Sequence, residues 1–325
     1  MKQLKYFLIL FFVSIGTFGN TYSSNNQMDF DPPDEFATLA EFLEGKVNFI
    51  KGDFPILKAD EVKKNLKNNA YQVIDIRTEA WFEYGHIKNA VNVPAEELLN
   101  YFETKINPSD YEKIVIVCYS GQSAAYYSGL LRMAGYDNVY SMKWGMSSWR
   151  EDFADSWIKN TKNSQEDKLE TASNTKPASD NHPELNTGKA EGEEILKDRL
   201  QELFAVPYKE FILESEDVFE NPEEYYIGYY GKPDHYNFGH IPGAVLYEEG
   251  TSLGTELLTF PKDKKVALYT TTGQEAAFLL AYLNVLGYDA GNIAYGENAF
   301  MNNLLDKNGR DAFSTKEINM FPVIE

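Results

Sequence analysis

The sequence predicts an α/β protein built twice over: two units, each a short parallel β-sheet covered by helices on both faces. Three observations carry this. Short β-branched runs that are apolar on both faces alternate with stretches of helical spacing, the pattern of parallel strands buried between helices. The same motifs also recur in the same order in the two halves. Gly85-His86-Ile87 followed by Ala90-Val91 is answered by Gly239-His240-Ile241 followed by Ala244-Val245. Lys113-Ile-Val-Ile-Val-Cys118 is answered by Lys265-Val-Ala-Leu-Tyr-Thr270, and Gly121-Gln122 by Gly273-Gln274. Gly-Tyr-Asp then stands 17 residues past Cys118 and Thr270 alike, which marks a tandem repeat. Finally, 325 residues at roughly 150 per domain allow about two domains.

The elements follow in chain order. Residues 1–20 predict a signal peptide: Lys2 and Lys5 form a basic start, Tyr6 to Phe18 is apolar and too short to span a bilayer, and Thr17 and Gly19 supply small residues for cleavage. The mature chain is expected to begin near Asn20 and to be exported, periplasmic or secreted. In the first unit, 33–157, Val73–Ile76, Ala90–Val93, Ile114–Val117 and Val139–Met142 are expected strands. Glu96–Thr104 and Gln122–Met133 have helical spacing. Residues 158–192 lack Phe, Trp and Tyr and are rich in Asn, Thr, Ser, Lys and Glu, which predicts a flexible polar linker. Glu191–Leu203 turns helical, with Ile195, Leu196, Leu200 and Leu203 at spacings of three or four. It opens the second unit, 193–325.

Composition excludes several functions. With 30 Lys+Arg against 50 Asp+Glu the chain carries a net charge of −20. It has no counterion-release drive toward nucleic acid and is repelled by anionic lipid, so neither is an expected partner once the leader is removed. One cysteine, Cys118, leaves no intrachain disulfide, Cys-based zinc site or thiol relay. Four scattered histidines argue against a His-rich metal centre. No metal or cofactor is expected.

Cys118 ends a buried apolar run and leads through Tyr119, Ser120 and Gly121 into the helix beginning at Gln122. Gly121 can take the positive φ of a tight strand-to-helix loop. Small and polar residues there let successive N–H groups turn inward as an anion-binding nest at a helix N-terminus. Such a place favours a thiolate, so the pKa of Cys118 is expected to fall. Ligands of parallel α/β sheets also bind beyond the carboxyl ends of the strands, where Cys118 falls.

Val73-Ile-Asp75-Ile-Arg77, Gly85-His86-Ile87, Asn92-Val-Pro94, Cys118-Tyr-Ser-Gly-Gln-Ser123 and Gly135-Tyr136 resemble the motifs of rhodanese-like domains, over about 55–157. The resemblance implies a sulfurtransferase whose cysteine takes a sulfane sulfur as a persulfide and passes it to cyanide or a thiol. It makes Cys118 the catalytic candidate and Tyr119, Ser120, Gly121, Gln122 and Ser123 the substrate-binding loop. The expected partners are a small sulfur-containing anion or persulfide donor, a thiol acceptor, and a protein partner through the second unit. Family phosphatases carry a longer loop ending in arginine. Here no Arg lies between Cys118 and Arg132, so a phosphoryl group would lack its bidentate partner. The loop also lacks the basic residues of many thiosulfate enzymes, which favours a persulfide or polysulfide donor.

Asp75 and Arg77 are expected to form a partly buried ion pair that fixes the loop after the first strand; the alternative is that Arg77 lends positive potential to the thiol loop. His86 is expected to be structural, because its twin His240 lies in a unit without a cysteine. The second unit resembles a degraded rhodanese-like domain: Thr270 replaces the cysteine, Tyr229 and Gly231 replace the Asp-x-Arg pair, and Glu275 puts a negative charge at the nest. It should be catalytically silent, the reverse of tandem members of the family, whose C-terminal unit is the active one. The rival expectation is a non-catalytic binding protein.

Overall fold

A computed structural model describes residues 34–44, 46, 53–178, 181–250, 254 and 256–325. The expected signal peptide lies outside the described residues. Two five-stranded sheets, parallel throughout, form the frame. β1 (Ile56–Leu57), β2 (Tyr71–Asp75), β3 (Val91–Asn92), β4 (Lys113–Val117) and β5 (Val139–Met142) lie in the order β1-β5-β4-β2-β3. β6 (Ile212–Leu213), β7 (Tyr225–Gly231), β8 (Val245–Glu248), β9 (Lys265–Tyr269) and β10 (Ala290–Ile293) repeat it as β6-β10-β9-β7-β8. The central strands are β4 and β9, so Cys118 and Thr270 each follow the middle strand of a sheet. Expected strands fall within a few residues of those observed. The run Ala90–Val93 pairs only through Val91 and Asn92, at a sheet edge.

Side-chain alternation divides each sheet between two cores. Ile114 and Ile116 of β4 enter one hydrophobic cluster, while Val115 and Val117 enter another with Leu57, Ala59 and Val62. On β9, Val266 and Leu268 point one way, Ala267 and Tyr269 the other. Ile114, Ile116, Val266 and Leu268 belong to the same cluster. Both sheets therefore turn one face toward a shared core, filled by the helices Gln122–Met133 and Gln274–Val285 packed against each other.

Within the stretch 158–192, expected as a flexible polar linker, several described residues bond to the body of the protein. Lys162 N–H donates to Asn298 O at 2.9 Å, Glu170 and His240 exchange backbone hydrogen bonds at 2.9 Å, and Asn174 N–H donates to the Tyr236 hydroxyl at 3.0 Å. Farther on, Thr187 N–H and Oγ donate to the Glu35 carboxylate at 2.8 Å. These polar groups bond to the body of the protein, a use that composition cannot distinguish from hydration. The C-terminus makes the reciprocal crossing onto the first unit. Asn319 N–H donates to Ser148 O at 3.0 Å, Phe321 N–H to Trp149 O at 2.8 Å, and Ile324 and His86 exchange hydrogen bonds at 2.9 Å. Among the described residues no helix is long and apolar enough to cross a membrane.

Candidate active site

The loop after β4 is shaped by where its carbonyl groups go. Cys118 O accepts from Met146 N–H at 2.8 Å, Tyr119 O from Ser147 Oγ at 3.0 Å, and Ser120 O from Trp157 Nε1 at 3.0 Å. With the carbonyls drawn outward, the amides face inward: Gly121 N–H donates to Cys118 Sγ at 3.1 Å and Ala124 N–H at 3.4 Å. Gly121 holds the left-handed turn at φ +89°, and the helix starts at the next residue. The nest predicted from sequence is present. Met146, Ser147 and Trp157, which hold it open, carried no sequence signal of that role.

The expected acid shift is not. Cys118 is 2% exposed, and burial pushes its thiol above the ordinary value, although the Ser123 hydroxyl and the amides of Ala124, Gly121 and Ser120 pull the other way. Desolvation outweighs the nest because the second unit packs against the loop. Tyr208 and Tyr295, both from that unit, have their pKa values raised chiefly by burial and in smaller part by the charge of Cys118.

The remaining expected site residues separate into two groups. Tyr119, Ser120 and Ser123 stay half-buried around the loop. The Tyr119 hydroxyl lies 3.4 Å from Thr78 N, and its ring meets Trp81 edge-on at 6.0 Å. Gln122 bridges the loop and the second unit, its Nε2 donating to Ser120 Oγ at 3.2 Å. Its Oε1 accepts from Tyr295 N–H at 2.8 Å, and Gln274 Oε1 accepts from Trp144 N–H at 2.8 Å in return. Both acceptors reach residues held at φ 62°, a left-handed conformation costly for aromatic residues.

Asp75 and Arg77 form a fully buried, forked ion pair, with Nη2 to Oδ2 at 2.7 Å and Nε to Oδ1 at 3.0 Å. Arg77 Nη2 also donates to Gly85 O at 2.8 Å, tying the loop after β2 to the Gly-His-Ile motif. His86 stacks on Phe82 at 3.9 Å, and its Nδ1 lies 2.9 Å from Phe82 O. Both placements are structural supports.

In the second unit the same amides serve a hydroxyl: Gly273 N–H donates to Thr270 Oγ1 at 3.2 Å and Ala276 N–H at 3.4 Å. Thr270 and Thr272 in turn donate to Glu275 Oε2 at 3.0 and 2.6 Å. A carboxylate thus stands where the first unit would hold an anion. Tyr229 and Gly231 stand where the first unit has Asp75 and Arg77, and a different buried pair, Glu297 with Arg310, lies beside Tyr229 and Thr271. Burial pushes Glu297 up to about 7 despite Arg310. Among the described residues no His, Cys, Asp or Glu cluster is arranged to hold a metal ion.

A parallel α/β unit thus holds a cysteine by backbone amides beyond its central strand. The model of the rhodanese-like domain family matches residues 58–152. The thiosulfate sulfurtransferase GlpE of Shewanella oneidensis is 32% identical over 99 residues, covering 30% of this chain and 94% of that protein. GlpE of Pseudomonas aeruginosa is 30% identical over 93 residues, 28% of this chain and 81% of the relative. A rhodanese-related protein of Thermoplasma volcanium, known from a crystal structure, is 26% identical, covering 30% of this chain and 93% of that one with a TM-score of 0.27. The chain belongs to the rhodanese-like sulfurtransferase family.

Proposed function

We propose that the protein is an exported sulfurtransferase or sulfur carrier that works through a Cys118 persulfide. The observation that carries this reading is the pair of amide contacts from Gly121 and Ala124 to Cys118 Sγ. The Cys118 thiolate attacks the outer sulfur of a persulfide, polysulfide or thiosulfate donor. The donor's S–S bond breaks, and the leaving thiolate or sulfite departs with the electron pair. Cys118 is left as a persulfide, its negative terminal sulfur facing the inward amides. An acceptor thiolate or cyanide then attacks that terminal sulfur and returns the Cys118 thiolate, so no oxidant is consumed. Ser120 and Ser123 add hydroxyl donors at the same place, and the Asp75–Arg77 pair and His86 act as supports. A net charge of −20 works against steering a dianion such as thiosulfate inward, which favours persulfide or polysulfide donors.

Intact-mass measurement after incubation with polysulfide, glutathione persulfide or thiosulfate tests this. One added sulfur is expected on the wild type and none on Cys118→Ser. Failure of all three donors leaves the non-catalytic binding reading, which the burial of Cys118 favours. A protein partner recognised through the second unit belongs to either reading. Export is tested by N-terminal sequencing of the natural product, expected to start near Asn20.

A further inference from the structure

We propose that the second unit carries its own binding site for a small zwitterion of the amino-acid class, its ammonium group held by Glu275 and its carboxylate by Lys232 in the positive field of Arg310. A cavity of about 380 Å³ lies beyond the carboxyl ends of β7 and β9, lined among others by Lys232, His235, Thr270, Thr271, Glu275 and Arg310. Its volume falls in the range of small-molecule sites, roughly 300–1,000 Å³. By topology it is the counterpart of the Cys118 loop, with the chemistry inverted. The amides of Gly273 and Ala276 are taken by Thr270 Oγ1, and two threonine hydroxyls fix the Glu275 carboxylate beside them. This end repels anions and presents a fixed negative charge to a cation.

Arg310 supplies the opposite end. Its side chain is 5% exposed and lines the cavity. Its Nη2 makes every side-chain contact it has: to Glu297, to Thr271 Oγ1 at 3.1 Å and to Tyr229 Oη at 3.3 Å. Nε and Nη1 are buried without a hydrogen-bond partner. Both atoms are closed to solvent and lie on opposite edges of the guanidinium, so Arg310 acts on the cavity through its charge, and the direct contact to a carboxylate falls to Lys232. Lys232, exposed at the rim, makes no ion pair among the described residues. His235 is held below its ordinary pKa by burial, then by the charges of Arg310 and Lys232, the sign of a positive field on this side. Glu249 and Asp311 line the cavity as well, Asp311 paired with Lys143, so a simple anion meets carboxylates and a simple amine still meets Arg310 and Lys232. A molecule carrying both charges satisfies both ends.

Calorimetric titration of the full chain with glycine, L-alanine and L-glutamate, beside ethylamine and acetate, tests the proposal. Saturable binding is expected for at least one zwitterion, weakened about tenfold or more for each singly charged probe, the loss of one charge-assisted contact. Glu275→Gln, whose amide oxygen still accepts from both threonines, and Lys232→Ala should each weaken binding by a similar factor. Cys118→Ser should leave it unchanged. Absence of saturable binding by every zwitterion, equal binding of acetate, or undiminished binding in both cavity variants overturns the proposal. If Glu275→Gln does not fold, the exposed Lys232→Ala still decides it.

Discussion

Replacing Gly121 with alanine measures how closely the two units meet at the Cys118 loop. A Cβ on Gly121 would stand 2.4 Å from Gln274 Nε2 and 2.8 Å from Met142 O. Neither neighbour gives way easily: Met142 O is backbone at the end of β5, and the Gln274 amide is engaged by Trp144 N–H and by Met142 O itself. Two costs then act together. The left-handed backbone at φ +89° costs a non-glycine residue about 1–2 kcal/mol. Overpacking adds about 1–3 kcal/mol. Gly135 is the control, since its φ is +101° and nothing lies within 4 Å of its would-be Cβ. Urea unfolding should show Gly121→Ala destabilised by about 2–5 kcal/mol and Gly135→Ala by about 1–2 kcal/mol, at unchanged m-value. In a Gln274→Ala background the excess should shrink, with a coupling of about 0.5–3 kcal/mol. Equal costs at the two glycines, or strict additivity with Gln274→Ala, would refute the close approach.

Alkylation of Cys118 by iodoacetamide should keep accelerating as the pH rises beyond about 8.5, the thiol reference, because burial favours the neutral form. That stabilisation is fully present below the unfolded-state pKa and is lost as the pH rises past it, a slope absent from Cys118→Ser; an inflection on the acid side sinks this expectation. Arg77→Ala leaves the Asp75 carboxylate buried and unpaired and should cost about 3–5 kcal/mol by denaturant titration. Removing the exposed Lys159–Asp155 pair should cost under about 1 kcal/mol by the same method. Residues 53–160 expressed alone should show no cooperative unfolding by circular dichroism, since their inner sheet face and the helix Gln122–Met133 lose the shared core; a sharp two-state transition would contradict this.

The strands and the thiol loop were legible because their signals are local. β4 is a five-residue run with four buried side chains, and Cys118 follows it directly. β1 and β6, two residues each, are too short to show any period. The union of the two units was harder to see, although one signal existed. The helix Gln274–Val285 is apolar nearly all round and buries eleven of its twelve residues, a pattern that requires neighbours on every side. Polar composition at 158–192 gave no sign that Glu170, Asn174 and Thr187 bond to the body of the protein. The thiol's pKa was misjudged for a related reason: the nest is written in the loop, but the burial that overrides it is a property of the folded chain.

The paired motifs explain themselves once the reciprocity of the two units is in view. In a two-fold arrangement, a residue contacting a given partner is contacted in return by its own counterpart. Gln122 reaches Tyr295 and Gln274 reaches Trp144, and the crossing segments end on His240 and His86 by the same exchange of backbone hydrogen bonds. Residues alike in both units, Gly121 with Gly273, Gln122 with Gln274 and His86 with His240, therefore serve association and turn geometry, which both units need equally. The positions that differ cluster at the thiol loop and its counterpart. Cys118 against Thr270, Ser123 against Glu275 and Met146 against Glu297 change a thiol nest into a carboxylate-bearing cavity without disturbing the frame. Within one chain, unlikeness between the repeats locates function more sharply than likeness does, because likeness is already accounted for by the interface.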